Sequence, residues 1–160
     1  MNLLRPLAIR LGRQAWLPRF STYVVAFDRL LQRLTRDRVT LVGLAGLGSL
    51  MLTTTGRRSG QARTTPLLYV PYRDGYLVAG SNWGGPNLPA WVLNLEADPD
   101  ATVAIRRRES PVRARRVVGE ERAQVWELML RTWPNYAKYA ERTEREIPVF
   151  ALEARSGPTR

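Results

Sequence analysis

From residue 49 onward the sequence alternates short strand-like runs with glycine or proline turns, and this alternation limits the fold more than any other feature. Runs rich in β-branched and aromatic residues predict strands at 49–55, 65–72, 76–81, 101–106, 112–118 and 147–153. The pair Asp74-Gly75 is typical of a tight β-hairpin. Helices are predicted at 89–97, at 120–132 and in the segment after Pro134. The pattern favours an α+β fold, a small and mostly antiparallel β-barrel with peripheral helices.

Residues 1–38 have a different pattern, which predicts a basic amphipathic helical segment in front of a domain at 39–160. The segment has eight arginines against Asp28 and Asp37. Apolar side chains recur at helical spacing from Phe27 to Leu34, and a shorter helix is predicted at 3–11. Such a helix either packs on its own domain with a solvated basic face or rests on an anionic membrane surface.

The overall charge points to an anionic partner, and the missing residue types exclude common chemistries. The chain has 25 basic against 14 acidic side chains, a net charge of +11. Nucleic acid, a membrane surface or a phosphorylated small molecule would suit this charge. Without cysteine or histidine, thiol nucleophiles, Ser-His triads and histidine metal sites are excluded, and no metal site is predicted. Any catalysis would use carboxylates, hydroxyls, arginine or a bound cofactor.

The longest apolar run predicts a buried segment and not a membrane span. It extends from Val39 to Leu52 and has 14 residues, whereas a spanning helix needs about 20. No convincing secretory signal precedes it. We therefore expect a cytoplasmic protein.

The stretch MLTTTGRRSGQARTTPLLYV at 51–70 reads as strand, turn and strand, with three arginines near the turn. Gly56 and Gly60 allow a turn conformation that other residues disfavour. Arg57, Arg58 and Arg63 lie beside it, with several threonine and serine hydroxyls. Guanidinium groups beside exposed backbone amides predict a local anion site. The alternative is that these arginines are simply solvated.

Two further segments have residues suited to binding or catalysis. GSNWGGPNLPAWVLNL at 80–95 is a glycine-rich loop that leads into a helix, where Trp83 and Trp91 could wall a planar ring or could be plain structure. WPNYAKYAERTE at 133–144 places Tyr136 and Tyr139 on one helical face. Two phenols on one face are either packing residues or hydrogen-bond and proton donors to a substrate.

Taken together, the three segments resemble, in order and spacing, the deazaflavin-dependent nitroreductase family of actinobacteria and their relatives. The resemblance covers residues 49–153. It implies a split β-barrel of the flavin-reductase type that binds coenzyme F420, a deazaflavin with a phosphodiester and an acidic oligoglutamate tail. The implied activity is an oxidoreductase that transfers a hydride from the reduced form, F420H2, to a quinone, an enone or a nitro compound.

The resemblance also implies which residues form the site. The hairpin and the strand after it would bind the phosphate, the tail and the length of the cofactor: Arg57, Arg58, Ser59, Arg63, Thr64, Thr65, Pro66, Leu67 and Leu68. The ring would be lined by the second segment: Ala79, Gly80, Ser81, Asn82, Ala90, Trp91, Val92, Leu93 and Asn94. Ser81 would hydrogen-bond near the ring, and Tyr136 or Tyr139 would supply a proton or position the acceptor.

Two alternatives remain open from the sequence. One is a reductase of the same fold that uses FMN. The other is a non-catalytic module that binds nucleic acid or acidic lipid, although the aromatic residues do not alternate with basic ones as stacking platforms require. We therefore expect a small-molecule acceptor and no nucleic acid, and a monomer or homodimer. The N-terminal helix would suit peripheral contact with the inner membrane face.

Overall fold

Seven antiparallel strands form one sheet in the computed structural model, which describes Pro6, Ile9, Arg10 and residues 47–155. The strands are β1 (Ser49–Thr55), β2 (Ala62–Leu68), β3 (Val70–Tyr72), β4 (Gly75–Ala79), β5 (Asp100–Ile105), β6 (Arg108–Arg116) and β7 (Val149–Ala154). Three helices of residues 47–155 accompany them: α1 (Ala90–Ala97), α2 (Gly119–Thr132) and α3 (Asn135–Glu141).

The strand order shows that the sheet is curled into an open barrel. The order is β2-β1-β5-β6-β7-β4-β3, so β2 and β3 are the two edges. Tyr69 alone separates these edge strands in the sequence. One residue cannot bridge the width of a flat sheet, so the edges must approach each other. The predicted antiparallel barrel is thereby confirmed.

Both faces of the sheet are buried, and each face has its own core. Along β7, Val149 and Ala151 belong to one hydrophobic cluster, whereas Phe150 and Leu152 belong to the other. This alternation follows from the two-residue period of a strand. Side chains of α1 fill the first core, which contains Phe150, and side chains of α2 and α3 cover the second. Because α1, α2 and α3 are anchored in these two cores, the loops that precede them are held in place.

The predicted elements agree with the observed ones except at some ends. The strand predicted at 65–72 is observed as β2, which begins at Ala62, and β3, with Tyr69 between them. The chain pairs with β1 as far as Leu68, after which the Tyr69 amide donates to the Gly48 carbonyl at 3.1 Å, and it pairs with β4 from Val70 onward. The strand predicted at 112–118 begins earlier, at Arg108. Of the N-terminal helices predicted, Pro6, Ile9 and Arg10 are helical, and the remainder, with the boundary at 38/39, lies outside the described residues.

Acidic side chains of the sheet and helices pair with arginines, three of which lie on β6. Arg115 binds both carboxylate oxygens of Glu121, at 2.8 and 3.0 Å, and also binds Glu153 at 2.9 Å. These hydrogen bonds raise the pKa of Arg115 and lower that of Glu121. Arg113, Arg116 and Arg155 also have acidic partners. Over the part of the chain that the structure describes, no helix has the length and apolar character to cross a membrane.

Candidate functional site

The turn between β1 and β2 is a closed, glycine-framed loop, here called the hairpin tip (residues 56–63). The Gly56 amide donates to the Gln61 carbonyl at 2.8 Å, and the Gly60 amide donates to the Gly56 carbonyl at 2.7 Å. Gly60 has φ = +65°, a left-handed conformation that favours glycine. The tip is therefore a defined structure and not a disordered crossing between two strands.

Three arginines project from the hairpin tip without an acidic partner in residues 47–155. Arg57, Arg58 and Arg63 are all exposed, and the ion pairs of that region use other arginines. The Arg63 guanidinium contacts the Gln61 side-chain oxygen at 3.4 Å. A group of uncompensated guanidiniums at one exposed tip is suited to bind phosphate and carboxylate groups.

One buried amide, Asn94 on α1, fixes the backbone of the hairpin tip. Its Oδ1 accepts from the Arg57 amide at 3.2 Å, and its Nδ2 donates to Thr54 Oγ1 at 3.1 Å. Thr54 Oγ1 in turn donates to the Arg63 carbonyl at 3.4 Å. Because Asn94 is only 4% exposed, its hydrogen bonds are made inside the protein. Its predicted contact with the cofactor stays a prediction, and its observed contacts position the backbone of two of the arginines.

The loop between β4 and α1, here called the glycine loop (residues 79–85), has an unusual backbone. Asn82, Trp83 and Gly84 have consecutive positive φ angles of 45°, 51° and 80°. A non-glycine residue in this region costs on the order of 1–3 kcal/mol and persists only where the surroundings enforce it. Strained backbone of this kind concentrates at functional sites.

Arg145 is the group that holds the glycine loop in this shape. Its guanidinium donates to three loop carbonyls, those of Gly80 at 3.1 Å, Ser81 at 3.0 Å and Gly85 at 3.1 Å. Charge-assisted hydrogen bonds contribute roughly 1.5–3 kcal/mol each, which is enough to offset the backbone strain. Arg145 could not be recognised from the sequence, because an arginine within ERTERE is typical of a solvated helix end.

Two glycines of the loop bring α1 and α3 against it. A Cβ atom on Gly80 would lie 2.7 Å from Val92 Cγ2 of α1, so only glycine allows this approach. A Cβ atom on Gly84 would lie 2.7 Å from the Tyr139 carbonyl of α3. The glycine loop is therefore packed between α1 and α3. The three segments singled out in the sequence are joined by direct contacts.

The tyrosines of α3 are buried in the second core. Tyr136 and Tyr139 are 4% and 3% exposed, and their rings meet edge to face at 6.1 Å. Tyr136 also packs against Trp126 at 5.8 Å, and the Arg142 guanidinium lies 5.8 Å from the Tyr139 ring centre. Burial raises the pKa of both phenols above the ordinary value. Both are therefore neutral at physiological pH, hydrogen-bond donors and weak acids.

The remaining predicted residues divide between core and surface. Trp91 and Val92 are buried, and the Trp91 ring packs edge to face on Phe150 at 6.0 Å, so the Trp91 ring contributes to the first core. The other positions are exposed or half-buried along β2, the glycine loop and α1: Ser59, Thr64, Thr65, Pro66, Leu67, Leu68, Ala79, Ser81, Asn82, Ala90 and Leu93. The glycine loop has a further polar brace besides Arg145, since Asn82 Nδ2 donates to the Asn87 carbonyl at 3.0 Å.

The chemistry of these groups fits a cofactor with an acidic tail and a flat ring. The hairpin tip offers cations for phosphate and carboxylate, and the glycine loop allows backbone to approach a ring closely. The loop and the tip are held in one arrangement by Asn94, Arg145 and the two close glycine contacts. A reactive side chain such as histidine or cysteine is absent from the whole sequence, which suits a site where the cofactor supplies the reactive atoms.

The comparisons with known proteins identify the family. Residues 28–154 match the family model described as F420H(2)-dependent quinone reductase. An F420H(2)-dependent quinone reductase of Mycobacterium tuberculosis is 37% identical over 110 residues, which cover 67% of this chain and 74% of that protein. The resemblance to deazaflavin-dependent reductases noted in the sequence is confirmed.

Solved structures agree with the fold and the family. An F420-H2 dependent reductase (FDR-A) has a TM-score of 0.61 and 37% identity, covering 66% of this chain and 94% of that chain. A structure described as a domain-swapped dimer has a TM-score of 0.63 and 34% identity, covering 80% and 94%. The heme storage protein HutZ of Vibrio cholerae, at 15% identity with a TM-score of 0.55 and covering 81% and 91%, shares the fold alone. The chain belongs to the F420H(2)-dependent quinone reductase family.

Proposed function

We propose that this protein uses F420H2 to reduce a quinone, with the cofactor held between the hairpin tip and the glycine loop. The observation that carries the proposal is the set of direct contacts that joins three segments. Asn94 ties the tip to α1, and Gly80 and Gly84 seat the loop against α1 and α3. Family membership supports the choice of cofactor and acceptor class.

In this proposal the arginines of the hairpin tip bind the cofactor's phosphate and acidic tail. Arg57, Arg58 and Arg63 are exposed and have no acidic partner in residues 47–155. The Asn94 network holds the backbone at Arg57 and Arg63. Thr64 to Leu68 continue along the edge strand β2, where Thr64 is exposed and the four residues after it are half-buried. This gradient suits a ligand with a charged end and an apolar end.

The glycine loop and α1 would orient the ring. When bound, F420H2 supplies the hydride. The Ser81 hydroxyl is half-buried at the loop and would hydrogen-bond to the ring, while Ala79, Gly80 and Asn82 would contact it through backbone atoms. Fixed loop geometry favours transfer because it limits the distances and angles that the ring can adopt.

The tyrosines of α3 would act on the acceptor as neutral donors. Burial keeps the phenol of Tyr139 protonated, so it can donate a hydrogen bond to a quinone oxygen without losing its proton. Tyr136 packs behind it and fixes its orientation. Because both rings are buried in this structure, an acceptor meets their hydroxyl groups only if neighbouring side chains move. The proton that completes quinone reduction would then come from solvent.

The test is oxidation of F420H2, followed by the return of the absorbance of oxidised F420, with a panel of quinones, enones and nitroaromatics. We expect quinones to be reduced fastest. Tyr139→Phe should change turnover and leave the F420 dissociation constant alone. Binding of F420 and FMN is compared by fluorescence in parallel. Tight FMN binding without F420 binding would favour the FMN reductase, and binding of neither, with steeply salt-dependent binding to vesicles or nucleic acid, would favour the anion-binding module.

Three further parts of the proposal concern the whole chain. We propose a cytoplasmic protein whose residues 1–38 contact the inner membrane face, which cell fractionation of the full chain and of a variant lacking that segment would test. We also propose a homodimer, because a relative at 34% identity is described as a domain-swapped dimer. Sedimentation of the full chain distinguishes a homodimer from a monomer.

A further inference from the structure

The guanidinium of Arg145 lies beneath the glycine loop and is surrounded by backbone carbonyls. Besides its bonds to Gly80, Ser81 and Gly85, it contacts the Glu146 carbonyl at 3.4 Å. No carboxylate of residues 47–155 pairs with it. A loop that only needed a brace could use a neutral side chain. The use of a positively charged side chain here, without an acidic partner in residues 47–155, suggests that the charge itself has a role at the loop.

Peptide geometry determines what the loop presents on its other side. All described peptide bonds are trans, and in a planar trans peptide the C=O and the following N–H point in opposite directions. The carbonyls of Gly80 and Ser81 point at Arg145. The amide groups of Ser81 and Asn82 therefore point away from it. The loop presents two consecutive N–H donors on the face opposite the guanidinium.

The charged groups around the loop leave a positive field there. Burial among carbonyls lowers the pKa of Arg145 from its ordinary value, yet an arginine stays charged at physiological pH. The Glu146 carboxylate binds Arg116 at 3.3 Å. The peptide dipoles of the loop and the cation behind them thus act in the same direction.

We propose that Arg145 is a positioning residue that aims the Ser81 and Asn82 amides at the deazaflavin ring and stabilises the ring's anionic form. This inference rests on the proposed function, since it takes the glycine loop as the ring-binding element. The ligand chemistry is a planar heterocycle whose ring hydroxyl ionises and delocalises a negative charge. Fixed N–H donors backed by a cation bind such a charge because they need no reorganisation.

The experiment measures how F420 ionises when it is bound to the full-length protein. Absorbance titration gives the pKa of the ring hydroxyl free and bound, and fluorescence titration gives the dissociation constant. In the wild type we expect the bound ring to ionise at lower pH than the free cofactor. Arg145→Gln should raise the pKa of the bound ring by about half a unit or more and weaken binding about tenfold.

Three variants separate this role from a mechanical one. Arg145→Lys keeps the charge, but one ammonium cannot bond all the carbonyls, so we expect weaker binding with a ring pKa close to that of the wild type. Arg131→Gln removes an exposed charge from the last turn of α2 and should change neither quantity. Arg58→Ala, at the hairpin tip, should weaken binding without changing the ring pKa.

The outcomes distinguish this inference from the proposed function. If the wild type binds F420 and the ring pKa is the same bound and free, the inference is wrong and the proposed function stands. Weaker binding by Arg145→Gln with an unchanged bound-ring pKa would reduce Arg145 to a brace. If Arg145→Gln fails to fold, the wild-type shift and Arg145→Lys still decide the question. If the wild type does not bind F420, the proposed function fails together with the inference.

Discussion

Two hairpins of the sheet have three arginines each near their turns, but the two turns differ in backbone structure and in their contacts with the rest of the domain. The β1–β2 hairpin tip is a glycine-framed loop tied to α1 through Asn94. The β5–β6 turn consists of Arg106 and Arg107, followed by Arg108 at the start of β6. Both residues of that turn have positive φ, 48° and 68°, and no side chain of residues 47–155 hydrogen-bonds to them.

The two tips lie at opposite ends of the same strands. In the register of β1 and β5, Met51 faces Ala104 and Thr54 faces Ala101. The β5–β6 turn is therefore near the start of β1, roughly 20 Å from the hairpin tip at its end. Arginine-rich turns alone do not make a site. The glycine frame of the hairpin tip and its contact with α1 through Asn94 distinguish the candidate site from a solvated turn.

The largest expected effect is on cofactor binding. Arg58→Ala combined with Arg63→Ala should weaken F420 binding by roughly 3 kcal/mol, because two charge-assisted contacts are lost. Fluorescence titration at fixed ionic strength measures it. The matched control is Arg106→Asn with Arg107→Gly, which removes the same charge from the other turn and should not change affinity. Equal losses in both variants would show that net charge, and not the hairpin tip, holds the cofactor.

The next effect concerns the frame of the tip. Asn94→Ala should lower the free energy of unfolding by about 2 kcal/mol, since two buried hydrogen bonds are lost. It should also speed hydrogen exchange at the Arg57 amide. Urea denaturation and exchange measured by NMR test these expectations. Asn94→Asp keeps the acceptor for Arg57 and should exchange more slowly there than Asn94→Ala. Equal exchange in the two variants would contradict the role given to Oδ1.

The β5–β6 control should itself gain stability. Asn-Gly suits a two-residue turn in which both φ angles are positive, whereas arginine is strained there. Replacing Arg106 and Arg107 by this pair should therefore raise the free energy of unfolding by about 1 kcal/mol. Urea denaturation measures the change. A loss of stability would indicate that these arginines make contacts that their exposure conceals.

The smallest effect is the response to salt. Sodium chloride should weaken F420 binding by the wild type, because exposed charges are screened within about 10 Å at 0.1 M ionic strength. The dependence of F420 affinity on salt concentration should become shallower in the Arg58→Ala, Arg63→Ala double variant and stay unchanged in the β5–β6 variant. Binding titrations at several salt concentrations test this. Identical salt dependence in all three proteins would place the anionic groups of F420 away from both tips.

The local structure of the barrel and the candidate cation cluster follow from residue order alone. Strand periodicity and turn chemistry act between near neighbours, so β1, the β3–β4 hairpin and α1 could be read from residue order. The turn of that hairpin is Arg73-Asp74, one residue earlier than the predicted Asp74-Gly75, because Gly75 already pairs with Tyr72. The arginines of the hairpin tip were visible for the same reason, since a tight turn keeps them together. Motif order and spacing also predicted the family, which the comparisons confirm.

Which side chains support the site and which point into the core depends on contacts made in the folded chain. Trp91 and Asn94 lie in one helix, yet Trp91 packs on Phe150 and Asn94 binds the hairpin tip. Arg145 is about sixty residues from the loop whose carbonyls it binds. The residues that flank it in the sequence do not distinguish it from a solvated arginine. The burial of Tyr136 and Tyr139 likewise depends on α2 and β7. These contacts join residues far apart in sequence, so chain folding brings them together and local pattern cannot.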